Sequence, residues 1–555
     1  MFLRKQVVNK HGRDYTYLKV VESTRRDGKV VQKCLLNLGS VNAWPEGKLE
    51  EAVRLIERFL GLERTALRDV QMSDCRRLGP FLALAALWEQ LGLGGIIERA
   101  LLEDGARVEI PVAAYARAMV FNRLVDPCSK RAVSEWVAEQ VQVPGLDPQR
   151  LSLHGYYRAL AQLDRVHKKV EEAVHLRVGH LFNRELSLVF YDLTSSYFEG
   201  SECPLARHGH SREHRPDCLQ IEIGLLVDAE GIPIGHEVFE GNLGDVSTVL
   251  PTLARLKEDF GVGRCIFVGD YGMASAANLK AIAARGYEYI TSLALRGSGV
   301  AMELLASLPP RRSFRPLKPN LWVHPLRAEG GVRYIAGYNP NRARASQRHR
   351  REHWRACVVE LRRLQAARPK ASGRCCFHSM QEVERAADRF VRQKHCSSFV
   401  EVGLDEQDRL FWRLDREALR RERARDGLII FQTNSPTLTD DEVAIGYRTL
   451  WRVENAFRHI KDPIRLRPIR HWNEACVRGH VFVCVLAYLL ERLLDLRLEE
   501  AGVGITGREA IETLDTLSVA TLSLPDQMVR RRSQITPAQQ RVLTAVGVRE
   551  VPEIW

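Results

Sequence analysis

No two of the twelve cysteines stand in a C-x-x-C spacing. Several fall inside apolar runs instead, Cys265 in CIFVGD and Cys484 in VFVCVLAYLL, and read as buried free thiols of a reducing compartment. Long hydrophobic runs are also missing. The longest, Val481 to Leu490, is too short to span a bilayer, and the opening MFLRKQVVNKHGRDY has no apolar core of the signal-peptide kind. A cytoplasmic location is the expectation, with no membrane partner. Internal repeats are absent. Negative charge is in deficit: 69 Asp and Glu face 82 Lys and Arg, a net charge of +13. On a folded chain that excess points to an anionic partner, most often nucleic acid. With 555 residues, 45% of them hydrophobic, the chain has ample material for several cores.

The pattern changes along the chain. Residues 1–48 alternate apolar and polar positions, as in YTYLKVVES, and predict a small β-rich module. Residues 49–180 turn to helical periodicity with scattered Arg and Lys, which fits a DNA-binding domain and equally a scaffold. Residues 181–300 read as strand, hairpin, helix, strand, helix, strand, the signature of a mixed sheet in an α/β layer fold. Residues 301–428 break that rhythm with strand-like pieces and a very basic helix. From Asn341 to Lys370 there are nine Arg and one Lys against Glu352 and Glu360. This block reads as a β-rich insertion, after which DGLIIFQTN resumes the core. In 429–500, Thr439 and Glu442 form a T-x-x-E capping box that opens a helix closed by Pro463. Residues 501–555 form a helical tail.

Two core strands stop at an aspartate: LVFYD at Asp192 and IFVGD at Asp270. The capped helix carries Glu454. Seven residues return to within about 20° of the same helix face, so Tyr447, Glu454 and Lys461 share a stripe, with Arg458 beside it. Three carboxylates converging from two strand ends and a helix make a hard-oxygen site of the kind Mg²⁺ takes. Two such ions can activate water and stabilise the leaving oxygen of a phosphodiester. An aspartate on a rigid strand serves that purpose, because a ligand must be held to within about half an ångström.

These blocks resemble DDE transposases of bacterial insertion sequences, in the insertion-sequence-four superfamily and its branch called IS sixteen thirty-four. The superfamily signature Y-x2-R-x3-E-x6-K maps in YRTLWRVENAFRHIK onto Tyr447, Glu454 and Lys461. Leu450 stands where the family has Arg, and Arg458, Arg452 or Arg448 is left to take its place. FYDLTSSYFEG and DYGMAS match the blocks around the two aspartates, Asp192 and Asp270. The resemblance is strong over roughly 180–500 and looser at the N-terminus.

It implies an RNase H-like catalytic core interrupted by a β-rich insertion, with Asp192, Asp270 and Glu454 both catalytic and metal-binding. Two Mg²⁺ ions, with Mn²⁺ as substitute, are the implied cofactors. Tyr447, Lys461, Arg458 and Arg452 are the implied DNA contacts. The implied reaction is cleavage at the element's ends by water, then attack of the 3′-OH on target DNA. The partners would be double-stranded terminal repeats and target, with a homodimer in the synaptic complex of a nucleoid-associated bacterial protein. The alternatives are an endonuclease without strand transfer and an inactive, transposase-derived DNA-binding protein. The loop CPLARHGHSREHRPDC, with Cys203, His208, His210, His214 and Cys218, has zinc-type ligands but no common finger spacing, and is read as a polar loop contacting DNA. Asp245 and Glu222 are the candidates for a fourth acid.

Overall fold

The computed structural model describes residues 2–26, 29–40, 51, 53, 55–57, 71–107, 109–182, 188–260, 262, 265–296, 298–367, 369, 377–523 and 528–554. They form two compact units. The smaller comprises Met1–Cys75, Ala520–Arg532 and Pro552–Trp555. Its alternating N-terminal segment forms an antiparallel meander of β1 (Phe2–Lys10), β2 (Arg13–Arg26) and β3 (Lys29–Ser40). Gly12 takes a positive φ in the β1–β2 turn, where a side chain would be strained. β4 (Gln71–Arg77) joins a second three-stranded sheet with strands Ser518–Ser523 and Met528–Arg532. The segment 501–555 therefore carries two strands besides its helices Gly507–Leu514 and Pro537–Ala545.

The larger unit, Arg76–Val519 with Ser533–Val551, is built on a nine-stranded mixed sheet. Its strands are β5 (Leu188–Tyr197), β6 (Gln220–Val227), β7 (Pro233–Glu240), β8 (Ile266–Val268), β9 (Glu288–Ser292), β10 (Arg315–Lys318), β11 (Leu321–Glu329), β12 (Val332–Tyr338) and, beyond the hairpin of β13 (Val400–Leu404) with β14 (Leu410–Leu414), β15 (Leu428–Thr433). The order is β10-β11-β12-β15-β9-β8-β5-β6-β7. β5, β6 and β7 are antiparallel neighbours, while β8 lies parallel to both β5 and β9. The β6–β7 hairpin turns where expected. Asp228 accepts from the amides of Glu230 and Ile232, and Gly231 supplies the positive φ.

One expectation changes here. The strand that carries Asp192 does not stop at it: β5 runs on to Tyr197, because Thr194, Ser195 and Ser196 stay paired with β6. The segment 301–428 holds five strands and the basic helix Pro340–Gln365, and its strands divide between two sheets. β10–β12 extend the main sheet through the β12–β15 pairing, and the remainder is mainly the helices Pro340–Gln365 and Met380–Gln393 packed with the β13–β14 hairpin on their own apolar core.

Helices between Gly79 and Phe182 share the principal core with Glu474–Glu500, whose middle is buried on all sides. A helix hydrophobic all round belongs inside a protein. Gly479 lets it approach the helix Leu153–Phe182 closely, since a Cβ there would stand 2.1 Å from the Leu160 carbonyl oxygen. A buried ion cluster ties the same helix to the sheet. Glu171 accepts from Arg255 at 2.9 Å and pairs with His236 Nδ1 at 2.5 Å. Burial opposes ionisation, yet His236 and Arg255 hold the Glu171 carboxyl down at about 2. No single helix among the described residues is long and apolar enough to cross a membrane.

Candidate active site

The parallel register of β5 and β8 decides the position of the two aspartates. Phe190 pairs with Val268, the last residue of β8; two residues later come Asp192, still within β5, and Asp270, in the loop just past β8. Asp192 and Asp270 thus follow the last paired step of two parallel neighbours, whose strands lie about 4.8 Å apart. Asp270 caps a single 3₁₀ turn, Tyr271–Met273, and its carbonyl accepts from Thr291 Oγ1 at 3.1 Å. Burial pushes the Asp192 carboxyl up to about 7. The Leu193 amide, donating at 2.8 Å, pulls it back, while the charges of Asp270 and Glu454 push it further. Three carboxylates therefore feel one another across the end of β8.

Glu454 arrives on a helix that packs over β5 and β6. The capping box at its start forms as expected, with Thr439 and Glu442 bonded reciprocally. The single helix expected from Thr439 to Pro463 is two, Asp440–Arg448 and Trp451–Lys461. At the break the Thr449 hydroxyl bonds to the Ile445 carbonyl at 2.9 Å, and the next amide bonds tighten to i→i−3. Leu450, at the family's Arg position, is buried in the core. The stripe of Tyr447, Glu454 and Lys461 is bent at this point, yet all three remain on the site.

Asp270, Tyr447 and Glu454 line one open cavity of about 900 Å³. Tyr447 bonds to Ser292 Oγ at 2.9 Å and lies against Phe431. Burial raises its pKa, and the carboxylates of Asp270 and Glu454 add to the effect. Arg342 and Arg350, from the first half of the Arg-rich helix, line the cavity with Arg296, Arg425 and Arg448. Glu422 and Asp426 line it too and pair with three of these, Glu422 with Arg296 and Arg425 and Asp426 with Arg350. Arg448 also donates to Asn320 Oδ1 at 2.8 Å.

The structure does not bring every candidate cation to the carboxylates. Arg448 is there, whereas Arg452 lines a separate pocket with Tyr488 and the acids Glu230, Asp495 and Glu499. Arg458 is exposed and does not line the carboxylate cavity. Lys461 is at the site but not free. Its ammonium is paired with Glu213, which Arg467 also engages. Burial, then Arg212, brings the Lys461 ammonium down to about 8, while Glu222 and Asp192 hold it up.

The Cys/His loop thus contributes through residues its zinc-like pattern did not flag. Arg212 bonds to the Leu193 carbonyl and to Glu222 at 3.4 Å. Glu222 is buried and also accepts from Gln220 at 3.2 Å, so this candidate fourth acid is neutralised by its neighbours. Among the described residues no group of three or more His, Cys, Asp or Glu side chains is gathered tightly enough to hold a metal ion. The three carboxylates are neighbours rather than a closed cage.

No curated protein matches the chain. Among solved structures, the piggyBac transposase synaptic complex with hairpin DNA is similar at 9% identity and a TM-score of 0.38, over 78% of this chain and 79% of that one. The family described as "Transposase DDE domain" matches residues 184–490, the stretch that holds Asp192, Asp270 and Glu454, and "IS1634 family transposase, N-terminal domain" matches residues 3–65. The chain belongs to the DDE transposases, on the IS1634 branch.

Proposed function

We propose that the chain cuts DNA at the ends of an insertion sequence and joins the freed 3′-OH to target DNA, with Asp192, Asp270 and Glu454 as the catalytic carboxylates. The observation that supports this reading is that Asp192 and Asp270 follow the same paired step of parallel neighbours, that Asp192 feels the charges of Asp270 and Glu454, and that Asp270 and Glu454 line one cavity with Arg342 and Arg448. The order β7-β6-β5-β8-β9, three antiparallel strands then two parallel to the first, supports an RNase H-like core.

The donor set suits a hard divalent cation. It consists of carboxylate oxygens only, and burial, with the charges of Asp270 and Glu454 adding to it, leaves Asp192 poised to gain from a positive charge. Two Mg²⁺ ions held there would activate the attacking oxygen and stabilise the leaving one. The chain's own residues supply the rest. Tyr447, fixed by Ser292, walls the cavity beside Asp270 and Glu454. Arg342 and Arg448 offer planar donors to phosphate oxygens, while Arg350 is held by Asp426. Lys461, beside Asp192, exchanges Glu213 for a DNA phosphate. Two copies, each holding one end, would complete the synaptic complex.

The test presents a free 3′-OH end and a target plasmid to the full chain with Mg²⁺. Joined product supports a transposase; cleavage without joining turns the reading to an endonuclease; neither, with DNA binding intact, turns it to an inactive binding protein.

A further inference from the structure

A second cavity, of about 690 Å³, lies away from the carboxylates, between Arg123–Lys130 and the segment 465–473. Five of its lining residues are Arg or Lys: Arg123, Lys130, Arg465, Arg467 and Arg470. None of its lining residues is acidic. Lys130 is only 4% exposed, and among the described residues its ammonium has no hydrogen-bond or ion-pair partner. Arg123, 7% exposed, donates only to carbonyls, those of Cys128 at 2.8 Å, Arg465 at 3.0 Å and Ile464 at 3.5 Å. Two cations are thus buried side by side with no carboxylate to neutralise them.

The field they create is visible in their neighbours. Burial, then Lys130 and Arg123, brings the His471 imidazole down to about 3, and the same causes hold His480 well below its ordinary range. Burial and Arg123 bring the Lys130 ammonium itself down to about 7. A buried charge without a partner works against the fold, so its retention calls for an anion that comes and goes.

The place of the cavity says which anion. Ile469 continues the pairing of β5 beyond the catalytic aspartate: its amide donates to Tyr197 and its carbonyl accepts from Glu199. Tyr197 is five residues past Asp192, or about 16 Å along the strand. Arg467 lines the cavity and shares Glu213 with Lys461, so basic groups run from the carboxylates to this point. Trp472, 70% exposed, stands at the mouth and offers an aromatic face.

We propose that this cavity is a phosphate-binding subsite for the DNA strand that leaves the Asp192–Asp270–Glu454 cluster, with Lys130 and Arg123 gripping a backbone phosphate about five base steps from the one cut. The inference rests on the DNA-cleaving reading above.

The test uses the full chain and a duplex copied from the boundary of the element that encodes it. Single phosphates are replaced in turn by neutral methylphosphonate. For the wild type, one or two positions about five steps from the cut should cost about tenfold in affinity; Lys130→Gln should lose that sensitivity and reduce the salt slope of binding by about one. Because a buried unpaired charge is removed, Lys130→Gln should also melt higher. Trp472→Ala, a surface change that cannot unfold the core, should weaken binding severalfold at an unchanged melting temperature. Wild-type affinity and salt slope in Lys130→Gln would overturn the subsite. So would protection of Lys130 by inorganic phosphate with no effect of the variant on DNA, which would assign a small anion instead. If the wild type cleaves while Lys130→Gln is unaltered, the subsite alone falls; if the wild type binds no end DNA, the reading beneath it falls too.

Discussion

Lys461 and Glu213 form an ion pair beside Asp192, bringing the end of the Glu454-bearing helix against the loop that follows β5. Both are largely buried, with side chains 13% and 7% exposed. In the proposed reading a DNA phosphate, an anion like the Glu213 carboxylate, competes with it for Lys461. Glu213→Gln should tighten end-DNA binding by about threefold to tenfold, since a bound anion no longer has to displace a charge. Lys461→Ala should slow cleavage by about tenfold to a hundredfold, and Lys461→Arg should restore part of it. Shift assays at two salt concentrations beside cleavage rates read both effects. Weaker binding by Glu213→Gln would make Glu213 a support for the loop and not a competitor.

Asp192→Ala, Asp270→Ala and Glu454→Ala should each abolish strand cleavage and leave end binding largely intact. Activity should depend on Mg²⁺ or Mn²⁺ and vanish with a chelator. Gel analysis of nicked and linear product is the measurement. Full cleavage by any one variant removes that residue from the site.

The raised Asp192 pKa sets a pH dependence. A carboxyl at about 7 is mostly protonated below that value, and a cation must displace the proton to bind. The apparent affinity for Mn²⁺ should therefore fall as pH drops below about 7, by up to about tenfold per unit, and level off above it. Titrating Mn²⁺ into the apoprotein across pH 5.5 to 8.5 checks this, and Asp192→Asn should flatten the profile.

Glu171 holds the long helix Leu153–Phe182 to β7 and to Arg255. Its folded pKa, about 2, lies below the ordinary Glu value, so its contribution is complete above about pH 4.5 and is lost as pH falls through about 2. Glu171→Gln leaves Arg255 and His236 short of a buried partner and should destabilise by about 3–5 kcal/mol. Chemical denaturation at pH 7 measures it, with the difference from wild type shrinking in acid.

Gly479→Ala should destabilise as well, because the added methyl meets the Leu160 backbone oxygen and neither helix can yield cheaply. A melting temperature equal to wild type would show that the two helices can move apart freely.

Much of this was legible in the residues alone. Local rules sufficed for the capping box at Thr439, the Asp228–Gly231 turn and the apolar strands around Asp192 and Asp270, because each depends on neighbours in sequence. The three carboxylates were visible as strand and helix positions, and their signature spacing named the family. The tertiary structure decided what depends on distant segments. It carried β5 past Asp192 through pairing with β6, and it merged β10–β12 into the main sheet through β15. It split the Glu454-bearing helix at Thr449, where a hydroxyl competes for a backbone carbonyl and Leu450 turns into the core. It delivered Glu213 to Lys461 and left Lys130 buried beside Arg123. Hydrophobic periodicity reports which face of an element is covered, but not by which partner. Ion pairs between residues hundreds of positions apart leave no periodic trace, so only the folded chain reveals where its charges meet.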